Sequence, residues 1–495
     1  MKKAYLLLFL IIIIAAILRL ANLTTIPPGL YPDEAMNGNN ALEALKAGDF
    51  KVFYPENNGR EGLFINIQAL FVRFLGNEAW VLRLPSALFG VLTVLGVYFL
   101  TKELFNGGAE TENLKLKSRK YIALLAAFLL ATSFWHINFS RMGFRAIMAP
   151  FFLTWAVYFL ILAFRKNPLF ALAGGIAYGL GFYSYIAYRA TPILILLIVL
   201  LFWLRKKDSL FRRKILLSTA YFILLSFIVV LPLGLYFLEN PADFFGRTTQ
   251  ISVFSSPSPL KDLTINSLKT AGMFNIRGDY NWRHNLSGRP ELFWPVGILF
   301  LSGVIVGLRE LIKRTRSSGF PFLVIGLWLV VAALPVVISN EGMPHALRAI
   351  IMIPPVVILA AVGGVKIYEW LDRKINNRNI LRLVTIVFLA ILVFEAYQSY
   401  FIRWARNPNT AGAFSQEYVK IAEELNKVPF ETPKFVIVKA GGVDVRGLPM
   451  PTQTVMFLTD TFGETERQKK NFFYLTAAEA EKINIPPQAF LVTLE

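Results

Sequence analysis

The chain has 495 residues, 55% of them hydrophobic and 14% aromatic, with a mean hydropathy of +0.52. So much apolar surface, gathered in long blocks, exceeds what a soluble core absorbs, and it excludes a water-soluble globular protein in favour of a polytopic membrane protein. The formal charge of +19 comes from short basic clusters between apolar blocks, which argues against nucleic-acid binding and for topology signals. With no cysteine, disulfides, thiolate metal sites and cysteine nucleophiles are excluded.

Met1-Lys2-Lys3 opens an apolar run that ends in Arg19-Leu20-Ala21-Asn22, without a small-x-small cleavage site. It predicts a retained first helix with its basic start in the cytoplasm. Residues 22–80 then form a first outer loop. In it, 35–47 has apolar residues at helical spacing with Asn37, Asn39 and Asn40 on the other face, and 62–75 is apolar but short; both read as helices lying at the membrane interface. Further spans are expected at 81–100, 121–138, 146–164, 169–187, 192–204, 215–237, 292–308, 320–338, 347–365 and 381–400, about eleven in all at roughly 20 residues each. The charges agree with this alternation. Lys115 to Lys120, Arg165-Lys166, Arg205-Lys206-Lys207, Arg212-Arg213-Lys214, Lys313-Arg314-Arg316 and Arg373-Lys374-Arg378 all fall on the cytoplasmic side.

After residue 400 the composition becomes mixed. Residues 401–495 carry helical patterns at 417–425 and 477–483 and strand-like runs at 435–438, 455–458 and 490–492, which predicts a small extracytoplasmic α/β domain behind a membrane domain of residues 1–400. Gly441-Gly442 follows a strand but opens no helix, so no nucleotide cofactor is expected there.

Function is sought in the first outer loop, where Pro27-Pro28-Gly29 precedes the adjacent carboxylates of Tyr31-Pro32-Asp33-Glu34. Either acid also suits the N-terminus of a following helix, Asp33 as its cap and Glu34 as a favourable charge. The positive-inside bias should deplete the outer side of basic residues, yet Arg60, Arg141, Arg145, Arg189, Arg283, Arg289 and Arg348 are all expected there. A guanidinium fork grips phosphate oxygens, so converging arginines suit a phosphate headgroup; snorkelling to lipid is the bland alternative. Arg141 and Arg145, four apart, are expected to share one helical face. His136, His284 and His345 are outer as well. With Asp33 and Glu61, His284 could hold a divalent ion such as zinc, manganese or magnesium, although the spacing matches no metal motif.

Five motifs in this order carry a resemblance: Pro32-Asp33-Glu34, Phe139-Ser140-Arg141-Met142-Gly143-Phe144-Arg145, Gly181 to Arg189, Asn281-Trp282-Arg283-His284-Asn285 and Pro344-His345-Ala346-Leu347-Arg348-Ala349-Ile350. Over roughly residues 1–400 the chain resembles glycosyltransferase family 39, which belongs to the GT-C superfamily with the protein O-mannosyltransferases and the lipid A aminoarabinose transferases. The resemblance implies an inverting transfer of a sugar from a polyprenyl-phosphate carrier to a protein, lipid or glycan acceptor on the extracytoplasmic face of the plasma membrane. Asp33 and Glu34 match its acidic position as catalytic candidates. Glu61, Arg60, Arg141, Arg145, Arg189, Arg283, His284, His345 and Arg348 are the expected substrate-binding set. Glu61 approximates an acid that aminoarabinose transferases carry beside Lys and Pro; here Arg60 and Gly62 flank it. The alternative is a transporter or flippase of lipid-linked sugars, but no internal repeat accompanies the spans and the polar residues gather at one face.

Overall fold

The computed structural model describes residues 2–106, 121–205, 208–250, 252–312 and 319–495. The expected clusters at Lys115 to Lys120, Lys206-Lys207 and Lys313-Arg314-Arg316 lie outside them. Backbone polar groups in lipid must be satisfied within the segment, so the apolar blocks fold as helices. They are α1 (Lys2–Leu20), α2 (Pro32–Ala47), α3 (Gly62–Leu75), α4 (Ala79–Asn106), α5 (Ile122–Ala131), α6 (Phe134–Phe139), α7 (Met148–Arg165) and α8 (Phe170–Gly181). There follow α9 (Thr191–Arg205), α10 (Ser209–Glu239), α11 (Pro241–Gln250), α12 (Pro259–Gly272), α13 (Trp294–Ile312), α14 (Phe320–Val337), α15 (Ile353–Lys374) and α16 (Arg378–Tyr397).

Among the described residues nine helices are long and apolar enough to cross a membrane. They coincide with nine of the expected spans; the other two, 121–138 and 169–187, are broken. Thr132 Oγ1 turns back to Phe128 O at 3.0 Å and Ser133 caps α6, a local competition that stops α5. At the end of α8, the ring of Tyr188 occupies the space where a Cβ on Gly181 would stand. α15 is the hub, buried without a break from Ile353 to Gly363, whereas α10 and α16 are mostly exposed and carry leucine, isoleucine and phenylalanine outward. Gly303 of α13 and Gly363 of α15 make the tightest crossing: a Cβ on either would lie within 2 Å of the facing helix's carbonyl oxygen, so only glycine lets these backbones meet.

The first loop, the α6–α7 and α8–α9 connections, residues 279–284 and 341–348 and the tail come together around one cavity. There β1 (Phe53–Tyr54) pairs antiparallel with β2 (Arg60–Glu61). In the tail, α17 (Pro408–Ala413) and α18 (Gln416–Leu425) precede β3 (Lys434–Val438), β4 (Asp444–Val445), β5 (Leu448–Pro449), α19 (Thr452–Thr459), α20 (Glu464–Lys469), β6 (Phe472–Thr476), α21 (Ala477–Ala480) and β7 (Phe490–Leu494). β3 lies between β6 and β7, parallel to both. The expected strand at 455–458 is part of α19 instead. A four-residue apolar run carries no period, and Val455, Met456 and Phe457 are all buried between the sheet and α2.

α2 also departs from expectation. Its asparagine face is buried rather than turned to water: Asn37 donates to Gly143 O at 3.1 Å, Asn39 to Gln453 Oε1 at 2.9 Å and Asn40 to Glu56 Oε2 at 3.1 Å. Met36 enters the core of the tail, so α2 is a wedge between bundle and tail.

Candidate active site

Pro32 occupies the first turn of α2, where its missing N–H costs nothing. Neighbours on a helix point about 100° apart, so the carboxylates of Asp33 and Glu34 diverge. Glu34 turns inward and is fully buried. Its Oε1 accepts from Arg83 Nε at 2.9 Å and from Gly143 N at 2.6 Å; its Oε2 accepts from Arg83 Nη2 at 3.1 Å and Tyr31 N at 3.2 Å. Arg83, equally buried, also donates to Pro27 O at 3.0 Å and to Gly29 O. Four donors satisfy this carboxylate, and it does not reach the cavity.

Asp33 does. It lies at the edge of a cavity of about 820 Å³ that the first loop, the α6–α7 and α8–α9 connections, residues 279–284, residues 341–348 and the tail enclose together. Asn57 Nδ2 donates to its Oδ1. Arg60, Glu61, Arg145, Arg189, Arg283, His284, His345 and Arg348 line the same cavity. Arg60 donates to Asn37 Oδ1 at 2.8 Å and to Asn40; burial and the nearby Arg145 pull its pKa down to about 10, still charged at neutral pH. Glu61 holds Arg145 Nε at 2.8 Å and faces Arg189 at 3.8 Å. Arg189 lies 4.4 Å over the Phe244 ring and donates to Phe244 O at 2.9 Å. Arg283 stacks 4.1 Å over Tyr31, and Arg348 donates to Glu341 O at 2.7 Å.

Arg141 is the other expected residue that stays away. Fully buried, it donates to Leu18 O at 3.3 Å and Ile26 O at 2.9 Å and stacks on Tyr400 and Phe401, fastening the first loop to the bundle. It shares no helical face with Arg145, because α6 ends at Phe139 and Arg145 begins a separate 3-10 turn. His136 is buried against Arg19, 2.7 Å away.

The remaining histidines meet at Asp279, which sequence reasoning overlooked. His284 Nδ1 is 2.9 Å from Asp279 Oδ2, His345 Nδ1 is 3.9 Å from the same oxygen, and the two rings are 4.8 Å apart. Among the described residues this is the one group of three or more potential metal ligands within 4.8 Å of one another. His284 therefore keeps its expected place as a candidate ligand, while Asp33 and Glu61 stand outside the cluster. Two imidazoles and a carboxylate supply three ligands and leave further positions open, a donor set that fits zinc or a similar ion. The acid five residues before His284 in the same loop was a readable signal. Asp279 is held in turn by Glu291, whose Oε1 accepts from Asp279 N at 2.9 Å and whose burial raises its pKa well above the usual carboxylate range.

The bundle of long apolar helices with its small α/β tail is a fold shared with solved structures of ArnT and of an oligosaccharyltransferase. Residues 63–233 match the family model of the dolichyl-phosphate-mannose-protein mannosyltransferases. The structure of ArnT from Cupriavidus metallidurans bound to undecaprenyl phosphate is 14% identical, with a TM-score of 0.55 over 99% of this chain and 93% of that one. The oligosaccharyltransferase of Archaeoglobus fulgidus tethered to an acceptor peptide is 15% identical, with a TM-score of 0.53 over 94% of this chain and 68% of that one. In complex with zinc and sulfate, the same enzyme aligns with a TM-score of 0.54 and 14% identity over 96% of this chain and 62% of that one. At these identities the likeness is one of fold. No curated protein matches the chain by sequence.

Proposed function

We propose that the protein is an inverting glycosyltransferase that moves a sugar from a polyprenyl-phosphate carrier to an acceptor hydroxyl on the extracytoplasmic face, with the N-terminus in the cytoplasm and the tail outside. The observation that carries this reading is the half-buried Asp33 carboxylate at the edge of a large cavity edged by arginines. Asp33 takes the proton of the acceptor hydroxyl as its oxygen bonds to the anomeric carbon. The bond from that carbon to the phosphate oxygen breaks on the opposite face, and the electron pair leaves on the polyprenyl phosphate. The ArnT structure bound to undecaprenyl phosphate supports a carrier of this class.

The leaving phosphate is assigned to the corner where Arg145 and Arg189 converge on the single carboxylate of Glu61. The exposed apolar face of α10, with Leu231, Leu235 and Leu238, offers the prenyl tail a path beside it. Arg145→Ala and Arg189→Ala are each expected to raise the apparent KM for the lipid donor about tenfold, the worth of a charge-assisted hydrogen bond, and to change kcat less. Unchanged KM in both returns these arginines to a structural role.

Over the cavity as a whole, Arg60, Arg145, Arg189, Arg283 and Arg348 are matched by Asp33, Glu61, Asp243, Asp279 and Glu341, so the side chains leave little surplus positive charge for a phosphate. Asp279, His284 and His345 would hold a divalent ion that supplies it as a Lewis acid. The zinc-containing Archaeoglobus structure is consistent with this. His345→Ala is expected to lose near-stoichiometric zinc, read by elemental analysis of protein purified and exchanged against zinc. Equal zinc in wild type and variant removes the cluster as a metal site.

The function is tested by release of radiolabelled mannose from dolichyl-phosphate mannose and undecaprenyl-phosphate mannose by the purified protein. Release, with water standing in for the acceptor hydroxyl, establishes cleavage of the bond between sugar and phosphate. Failure with both donors, by well-folded protein that still binds them, favours a carrier that moves lipid-linked sugar without cleaving it.

A further inference from the structure

The tail touches the first loop at a second place, away from the cavity wall. β4 and β5 form an antiparallel hairpin whose tip residues, Arg446 and Gly447, are both left-handed, at φ 56° and 83°, as a two-residue primed turn requires. The tip aims the Arg446 side chain at two acids of the first loop. Its Nη1 and Nη2 each donate at 2.9 Å to one oxygen of Glu43, its Nε donates at 2.6 Å to Glu56 Oε1, and the Phe462 ring lies 4.6 Å beneath it. A planar fork bound on two edges and stacked below fixes the position of what it holds better than one exposed ion pair.

What it holds matters through Glu56. The other oxygen of that carboxylate accepts from Asn40 of α2 at 3.1 Å, and the Glu56 carbonyl closes a turn by accepting from Gly59 N at 3.2 Å. Asn57, Asn58 and Gly59 within this turn are all left-handed, at φ 53°, 62° and 79°. Asparagine and glycine are the residues that adopt this region most readily, so the sequence permits the turn, and the hydrogen bonds to Glu56 fix where it sits. Asn57, the residue after Glu56, is the donor to Asp33.

We propose that Arg446 is a positioning residue for sugar transfer: by clamping Glu56 it holds the turn that aims Asn57 at the Asp33 carboxylate. This rests on the reading of Asp33 as the base. The tail then acts on the reaction through a defined side chain, and the two arms of the clamp separate in function. Glu43 secures the tail to α2, whereas Glu56 carries the hold on to the reacting corner.

The test is steady-state release of radiolabelled sugar from the polyprenyl-phosphate mannose donors, with the melting temperature of each variant in detergent. Arg446→Ala and Glu56→Gln are expected to lower kcat about tenfold, as small misplacements of a reacting group do, with the donor KM within about twofold. Glu43→Gln is expected to lower the melting temperature yet leave kcat within about twofold, because Arg446 still holds Glu56. Arg446→Lys is expected to recover part of the loss, since an ammonium reaches one carboxylate at a time. Equal kcat losses in Glu43→Gln and Glu56→Gln make the contact mere adhesion between tail and loop, and overturn the proposal. So does wild-type kcat in Glu56→Gln. Asp33→Asn runs alongside: full turnover there overturns the base assignment and this inference with it, whereas an inactive Asp33→Asn beside an unaffected Arg446→Ala overturns this inference alone.

Discussion

Asp33→Asn is expected to lower the rate of sugar transfer by about 10²–10⁴-fold, the contribution typical of a positioned general base, while the protein folds and inserts as the wild type does. The substitution keeps shape and volume. The amide oxygen still accepts the hydrogen bond from Asn57 that the carboxylate accepts now, and the buried Arg60, which loses the nearby Asp33 charge, keeps its hydrogen bonds to Asn37 and Asn40. What disappears is the one property an amide lacks, the capacity to take a proton from the acceptor hydroxyl. The measurement is single-turnover release of labelled sugar by variant and wild type matched for melting temperature. A variant within about tenfold of wild type removes Asp33 from proton transfer and directs attention to Asp279 or Glu61 in the same cavity.

The sequence disclosed the bundle because lipid leaves the backbone few options, so an apolar run of span length is close to a structural statement. It disclosed less where a single residue decides. Thr132 and Ser133 break a helix that hydropathy carries through, and nothing in the local period of 455–458 distinguishes strand from helix until the sheet and α2 are in place. For the site, motif order found the residues of the cavity lining but not which charge belongs to chemistry. Glu34 and Arg141 have the same local character as Asp33 and Arg145, and diverge only because Arg83, 49 positions from Glu34 in sequence, and the carbonyls of Leu18 and Ile26 receive them in the interior. Asn57, Asp279 and Arg446 make contacts that loop closure creates, and such contacts have no sequence period to reveal them.

The largest effect on stability is expected at Glu34. Both it and Arg83 are fully removed from solvent, so Glu34→Ala leaves a guanidinium buried without its counter-charge, and two backbone N–H groups, of Tyr31 and Gly143, without an acceptor. Breaking one side of a buried pair costs about 3–5 kcal/mol, enough to consume much of the stability of a typical domain. Glu34→Gln retains an acceptor for only one of the two amides and loses the charge, yet keeps more than alanine does, and should fall between. A double-mutant cycle with Arg83→Met separates the pair from its surroundings: if the stranded guanidinium is the main penalty, the double variant recovers part of the stability lost in Glu34→Ala. Denaturation in detergent reads the stability, and release of labelled sugar by the folded fraction reads the chemistry. Because Glu34 Oε1 and Oε2 are occupied by four protein donors, the folded fraction of Glu34→Gln is expected to keep most of its kcat. A Glu34→Gln protein as stable as wild type but unable to transfer sugar would move Glu34 from the frame of the site into its chemistry.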